Sequence, residues 1–220
     1  MQQAPKPVPP PEFQEKDIAA MDAAALIAII KDPAAPEFRK AKACVRAGEL
    51  GAKDAIPALA ALLSSEHMSV YARYGLEPIA DPAVDDALRA ALTKLKGVQL
   101  IGVINSINKR RDAKAAPMMA KMLTSPDVDI ARAAAAALGS IGNEAAMKEL
   151  QGALAKTSGM LRMAVADACL ICAERLTADG KRDTAMLLYS ALSATGVPKP
   201  VRLAAMSAIV REETSVTRPR

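Results

Sequence analysis

Apolar residues recur along this chain at the spacing of helices that bury one face. The clearest cases are Ile56, Leu59, Ala60 and Leu63, followed by Val84, Leu88, Leu92 and Leu95. Spacings of three and four residues place such side chains on one side of an α-helix. Few segments alternate with the period of two that a half-buried β-strand requires, so the pattern predicts an all-α chain. Gly, Pro, Asp and Asn separate the apolar segments, as turn residues do.

Divided at these turn residues, the chain forms six antiparallel helix pairs, and we name the first helix of each pair A and the second B. The predicted ranges are about 18–31 and 36–48, 53–64 and 68–79, 82–95 and 98–108, 112–124 and 127–141, 143–156 and 159–177, and 180–194 and 198–211. The repeat interval is about 32 residues, which is typical of short α-solenoids. In such folds each pair buries its apolar face against the next pair.

Three regions differ in composition. Residues 1–16 contain five prolines and predict an extended, disordered tail. Residues 17–213 carry the helical periodicity and predict a single domain, whereas residues 214–220 are polar and basic and predict a frayed end. The first residues, MQQAPKPVPPPEFQ, resemble the start of a mature exported chain, but a plain cytoplasmic tail explains them equally well. The compartment therefore stays open between exported and cytoplasmic.

The composition limits what the chain can bind. Of its 220 residues 51% are hydrophobic but only 2% are aromatic, and Trp is absent, so Ala, Leu, Ile and Met must supply the packing. Ala is the best helix former, which supports the all-α prediction. The formal net charge of +5 favours acidic partners without identifying nucleic acid. Binding of single strands normally uses aromatic stacking, so the composition disfavours a nucleic-acid partner.

One phrase, ARAAAAALGSIGN over residues 131–143, carries a family resemblance. Arg132 followed by small residues, then Ala-Leu-Gly and a terminal Ile-Gly, resembles the HEAT repeats of the short, bacterial, phycobilisome-lyase-like kind. Residues 70–117 are similar to a HEAT-repeat family widespread in planctomycete and verrucomicrobial genomes, and AERLTADGKRDTAMLLYSAL looks like a tetratricopeptide hairpin that caps the array. The resemblance implies a right-handed superhelix whose B helices line a concave, protein-binding surface. Leu138, the one large residue among alanines, is predicted to lie in the core.

Arginines recur near the starts of the B helices, at Arg39, Arg132, Arg162 and Arg202. In the repeats that the chain resembles, such an arginine bonds an aspartate in the adjacent turn. The resemblance therefore implies a structural ladder of ion pairs between repeats rather than a binding site.

The residues that usually carry chemistry are few. Cys169 and Cys172 form a CxxC inside the apolar run ACLICA, and with Cys44 they make an odd count, so they are predicted to be small core residues. His67 stands alone in a loop without ligand-spaced neighbours, which predicts a solvated side chain. The sequence offers no catalytic, cofactor-binding or metal-binding residue, and it predicts a protein that is not an enzyme.

Two alternatives come from relatives of the repeat type. HEAT-like DNA glycosylases are of similar size and basic, but the resemblance to them implies Trp residues around a catalytic Asp, and this chain has no Trp. A phycobilin-lyase-like chaperone or lyase subunit agrees in repeat type, although no chromophore-handling motif matches here. Both rest on analogy of fold, which does not determine function.

Two clusters are candidates for contact with a partner. Lys109, Arg110, Arg111 and Lys114 form a basic turn between the third and fourth pairs, and Tyr71, Arg73 and Tyr74 lie on the second B helix. Tyr and Arg are residue types that anchor interfaces. The structural alternatives are a solvated turn, a tyrosine packed between repeats, and a surface pair of Arg73 with Glu77. We therefore predict a scaffolding module that binds a protein through its concave B-helix face or its basic edge.

Overall fold

A computed structural model of the protein describes residues 17–217. Twelve α-helices follow one another in that range: α1 (Ala23–Lys31), α2 (Glu37–Glu49), α3 (Ile56–Ala61), α4 (Ser69–Leu76), α5 (Pro82–Leu92), α6 (Gly97–Arg110), α7 (Ala116–Met122), α8 (Val128–Ile141), α9 (Glu144–Lys156), α10 (Gly159–Ala178), α11 (Arg182–Leu192) and α12 (Lys199–Thr217). Single 3-10 turns occupy Ile18–Ala20, Lys53–Ala55, Leu62–Ser64 and Ala113–Ala115. No strand occurs within the described range, which confirms the predicted all-α helical-repeat class.

The chain divides into two compact units, residues 1–103 and 104–220, with the boundary inside α6. In the first unit, α1 contacts α3 and α3 contacts α5, so the A helices form one layer, and the B helices α2 and α4 contact each other in a second layer. The second unit repeats this arrangement, with α7 against α9 in one layer and α8, α10 and α12 in the other. The predicted domain limits stay predictions.

The predicted N-terminal tail and the last three residues of the predicted C-terminal end fall outside the described residues. Residues 1–16 and 218–220 lie beyond the described range. Helix α12 continues to Thr217, so part of the segment expected to be a frayed end, residues 214–217, is helical.

Short polar residues fix where several helices begin. Asp22 accepts a hydrogen bond from the backbone N–H of Ala25, and Asn143 accepts one from Ala146, both at 2.8 Å. Such side chains satisfy backbone donors that have no partner within the helix. Helix α4 ends at Leu76, three residues before its predicted end, because the following Pro78 cannot donate a backbone hydrogen bond.

The core consists mainly of aliphatic and small residues. Leu138 is fully buried, which confirms the prediction for that residue. Cys44, Cys169 and Cys172 are also fully buried, as expected for core residues. Burial raises the pKa of the Cys44 and Cys169 thiols to about 12 and that of Cys172 to about 11. All three thiols are therefore protonated, and weakly nucleophilic, at neutral pH.

Two arginines of the implied ladder each pair with an aspartate. The Arg39 guanidinium lies 2.5 Å from a carboxylate oxygen of Asp17, which precedes the first helix pair. Arg132 lies 3.4 Å from Asp129, one turn earlier in its own helix. Both arginines therefore bond an aspartate of their own repeat, and neither of these two ion pairs joins two repeats.

Arg162 uses backbone carbonyls where the ladder implied an aspartate. Its guanidinium donates to the carbonyl oxygen of Leu154 at 2.5 Å and to that of Gly196 at 2.9 Å. Leu154 lies in the last turn of α9, where carbonyl groups have no helical partner. A guanidinium group can donate hydrogen bonds to backbone carbonyl oxygens as well as to a carboxylate, so Arg162 connects two turns without an ion pair.

Candidate functional site

Helices α2 and α4 make their tightest contact at Gly48 and Gly75. A Cβ atom placed on Gly48 would lie 2.5 Å from the carbonyl oxygen of Gly75, so a side chain at Gly48 would force the helices apart. A Cβ atom on Gly75 would meet the carbonyl oxygen of Cys44 at the same distance. This contact lies toward the C-terminal ends of both helices.

Toward the N-terminal ends of α2 and α4 the two helices border a groove. Its volume is about 520 Å³. Its apolar lining comprises Phe38, Ala41 and Val45 from α2, with Met68 and Tyr71 from the start of α4. Ala41 and Met68 are buried, whereas Tyr71 is 38% exposed. The groove therefore has an enclosed floor of small and flexible side chains and an accessible aromatic wall.

Polar groups form the rim of this α2–α4 groove. The Lys42 ammonium nitrogen lies 5.5 Å from the centre of the Phe38 ring, within the range of a cation–π interaction. His67 Nδ1 lies 3.0 Å from a carboxylate oxygen of Glu37, with both side chains well exposed. His67 is thus exposed, as expected of its loop, but it has a partner. An apolar interior with a few polar groups at its edge is the usual composition of a binding site.

The three candidate residues on the second B helix have different environments. Tyr71 lines the α2–α4 groove, and Tyr74 is 53% exposed without being part of the lining. The Arg73 side chain packs over Gly102 of α6, where an added Cβ atom would lie 2.8 Å from Arg73 Nε. That nitrogen is buried and has no hydrogen-bond acceptor within residues 17–217. Arg73 is therefore a packing residue in this structure.

Sequence reasoning missed Phe38, Lys42 and Met68 as groove residues. A signal was present for one of them, because Phe38 is one of only two phenylalanines and stands about one repeat before Tyr71. Residues one repeat apart on successive B helices become neighbours when the pairs stack. The aromatic pair could thus have been found by aligning the repeats on each other.

The basic turn follows α6 and has an unusual backbone. Arg111 adopts a φ of 55°, in the left-handed region that favours glycine. Behind it, the N–H of Asp112 donates to the carbonyl oxygen of Ile107 at 3.4 Å, a helix-ending pattern that normally has glycine at the left-handed position. The corresponding turns after other B helices do have glycine there, at Gly51, Gly142 and Gly180, with φ of 63°, 63° and 78°.

This turn brings the predicted cations together at one end of α6. Lys109, Arg111 and Lys114 are exposed, while Arg110 is half-buried. The Asp112 carboxylate accepts a hydrogen bond from the backbone N–H of Lys114 at 3.1 Å and so fixes the start of the next helical turn. The basic turn is therefore an ordered, positively charged surface.

Residues 17–217 contain neither a cluster of metal ligands nor a membrane-spanning helix. That range contains no group of three or more His, Cys, Asp or Glu side chains placed to hold a metal ion. None of the helices in that range is both long enough and apolar enough to cross a membrane.

The helices described above define an all-α solenoid built from helical repeats. Residues 86–169 match the family model for HEAT repeats. This match agrees with the resemblance to HEAT repeats that the sequence predicted. HEAT repeats indicate a protein-interaction scaffold, which supports the broad function and the protein partner predicted from the sequence.

Two solved structures are similar to the chain, and the first of them supports the fold. The crystal structure of an engineered protein is 16% identical, with a TM-score of 0.52, over 88% of this chain and 98% of that one. The complex of CpcE and CpcF of phycocyanin lyase from Nostoc sp. PCC7120 is 17% identical, with a TM-score of 0.46, over 91% of this chain and 86% of that chain. Similarity at this level concerns the fold alone. No curated protein matches the sequence.

Proposed function

We propose that this protein is a non-enzymatic scaffold that holds a partner protein in the α2–α4 groove. The observation that carries the proposal is an open groove on the B-helix layer whose interior is apolar and whose rim is charged. Interfaces derive most of their binding free energy from a few large side chains that enter such pockets. The HEAT resemblance also implies that partners bind on the B-helix side.

The lining suggests which part of a partner the groove accepts. Phe38 and Tyr71 offer rigid aromatic walls, and Met68 is flexible enough to adapt to side chains of different shape. An aliphatic or aromatic side chain of the partner would fill the space between them. Lys42 at the rim would then pair with a carboxylate next to that side chain, which orients the partner and raises the association rate more than the affinity.

The tyrosines on α4 provide a matched test. A photoreactive residue in place of Lys42 should crosslink the partner in cells of the source organism, whereas one in place of the distant, exposed Leu187 should not. With the purified partner, Tyr71→Ala should weaken binding about 30-fold or more, as expected of an anchor residue. Tyr74→Ala removes an equally large exposed side chain outside the groove and should change the affinity less than about threefold.

The comparison of these two variants decides the proposal. Circular dichroism should first show that both variants keep the helical content of the parent chain. Equal loss of affinity in both, or loss in neither, would mean that the partner does not use the groove. A lyase or other catalytic activity of the purified chain would contradict the non-enzymatic part of the proposal while leaving the groove assignment intact.

We propose that the basic turn is a second contact, for an acidic segment of a partner. The support is Arg111, a cation at a left-handed position where the equivalent turns have glycine. Arg111→Gly removes the charge and relieves the backbone strain, so it should reduce binding of an acidic partner while leaving the protein at least as stable. Unchanged affinity in this variant, at low salt, would show that the turn is only solvated.

A further inference from the structure

Helix α12 exposes an apolar stripe on the side opposite its buried face. Leu203, Met206 and Val210 are 53%, 49% and 60% exposed and recur at spacings of three and four residues. On the other side Val201, Ala205 and Ala208 are buried in the second unit. A helix that is apolar on two sides is normally covered on both.

Charges of opposite sign lie at the two ends of this stripe. Lys199 is exposed at the first residue of α12, and Glu213 is exposed three residues beyond Val210. Spacings of four, three, four and three residues place both charges on the same face as the apolar side chains. A cation in the first turn is unfavourable for the helix itself, because the N-terminal end already carries partial positive charge. The stability of α12 alone therefore does not explain Lys199.

We infer that α12 is a self-association surface, on which α12 of a second copy of this chain lies antiparallel about a two-fold axis near Met206. In that arrangement Leu203 meets Val210 of the second copy, and Lys199 meets Glu213. Each favourable contact occurs twice, as in every isologous interface. Antiparallel helices also set their dipoles in opposite directions, so Lys199 lies beside the negative end of the other helix.

The charges favour an antiparallel arrangement of the two α12 helices over a parallel one. Parallel alignment would place Lys199 against Lys199 and Glu213 against Glu213, and like charges opposed across an interface are costly. Met206 lies at the centre of the stripe, where its flexible side chain can pack against its own counterpart. The inference does not depend on the proposed function of the α2–α4 groove, since the two surfaces share no residue.

The inference predicts that the molecular mass measured in solution increases with protein concentration. Sedimentation of the 23.0 kDa chain from micromolar to submillimolar concentration should show reversible formation of a species of twice that mass. Met206→Glu should abolish the dimer, whereas Leu187→Glu, at a 69% exposed leucine of α11, should leave it unchanged. A chain that stays monomeric throughout, or an equal effect of both substitutions, would overturn the inference.

Charge exchange tests the antiparallel register. Lys199→Glu and Glu213→Lys should each weaken the dimer about tenfold or more, because each puts like charges in contact. The double variant should regain the parental affinity, and a mixture of the two single variants should form a mixed dimer more tightly than either forms alone. Lys199→Glu places an anion in the first turn of α12, so it favours the isolated helix and a weaker dimer cannot be ascribed to unfolding. Failure of the mixture to associate would overturn the proposed register and with it the inference.

Discussion

Consecutive B helices meet at a glycine in both units, but the two contacts differ in what lies beside them. In the first unit Gly48 faces the backbone of Gly75, at 2.5 Å from an added Cβ atom to the carbonyl oxygen. In the second unit Gly139 faces the backbone of Ala168, at 2.7 Å by the same measure. The absence of a side chain thus sets a short distance between helices in each case.

Side-chain size beside the contact decides what surface results. In α8 the buried face consists largely of alanines, and Ala131, Ala134, Ala135 and Ala137 are all fully buried. Toward the other ends of α2 and α4 stand Phe38 and Tyr71, which stay partly exposed and border a groove. One repeat geometry therefore gives a closed face with alanines and an open, lined groove with aromatic residues.

The largest expected effect concerns the closed face. Leu138→Ala removes the one large side chain from the run of buried alanines in α8, and it should lower the free energy of unfolding by about 2–5 kcal/mol. Leu187→Ala makes the same chemical change at a leucine that is 69% exposed and should cost less than about 0.5 kcal/mol. Urea unfolding followed by circular dichroism measures both. If Leu138→Ala unfolds at the same urea concentration as the parent chain, the closed face does not depend on the Leu138 side chain.

The glycine contacts themselves should be the next most sensitive sites. Gly48→Ala and Gly139→Ala each place a Cβ atom against backbone, so each should destabilise the protein by about 1–3 kcal/mol. Among the described residues, no atom outside the local backbone of α9 lies within 4 Å of a Cβ added to Gly152, so Gly152→Ala should stabilise the protein by about 1 kcal/mol through helix propensity alone. Thermal unfolding of the three variants separates the cost of steric crowding by the added Cβ atom from the gain in helix propensity. A stabilised Gly139→Ala variant would mean that the helices separate without cost.

Helix positions were predictable from the sequence because their signals are local. The apolar period, the capping residues such as Asp22 and Asn143, and the turn glycines all act within a few residues of where they stand. The predicted start of α8 lies one residue before the observed start, and the predicted and observed ends are the same residue. The tighter 3-10 turns before α3 and α7 were not distinguished from α-helix, since the two share nearly the same side-chain pattern.

The groove was not predictable in the same way because it depends on the distance between two helices. Tyr71 was identified as a candidate from its residue type, but Phe38 and Lys42 become part of the site only when Gly48 lets α2 approach α4. Arg73 was predicted to contact a partner or to form a surface pair with Glu77. Its packing over Gly102 follows from a small residue on the next B helix, which single-helix reasoning does not use.

The ends of the B helices provide a finer comparison between the units. Arg111→Gly gives the turn after α6 the residue type found at Gly51, and it should raise the free energy of unfolding by about 0.5–1 kcal/mol. Gly51→Ala tests the reverse change, because no described residue other than its chain neighbours has an atom within 4 Å of an added Cβ, and only backbone strain opposes the substitution. It should lower the free energy by a similar amount. Equal stability of Arg111→Gly and the parent would show that the left-handed turn stores no strain.

The smallest expected effect belongs to a feature that both units share. Lys53 lies 3.0 Å from a carboxylate oxygen of Asp81, and Lys181 lies 3.0 Å from one of Glu144, so each pair joins the turns before two successive A helices. Both lysines are well exposed, and solvent weakens such ion pairs, so Lys53→Met and Lys181→Met should each cost at most about 0.5 kcal/mol. Denaturant unfolding at low and high salt should show this small difference shrinking as salt increases. A cost above about 1 kcal/mol at either lysine, persisting in high salt, would mean that the turns contribute to cohesion between repeats, beyond the glycine contacts and the buried aliphatic core.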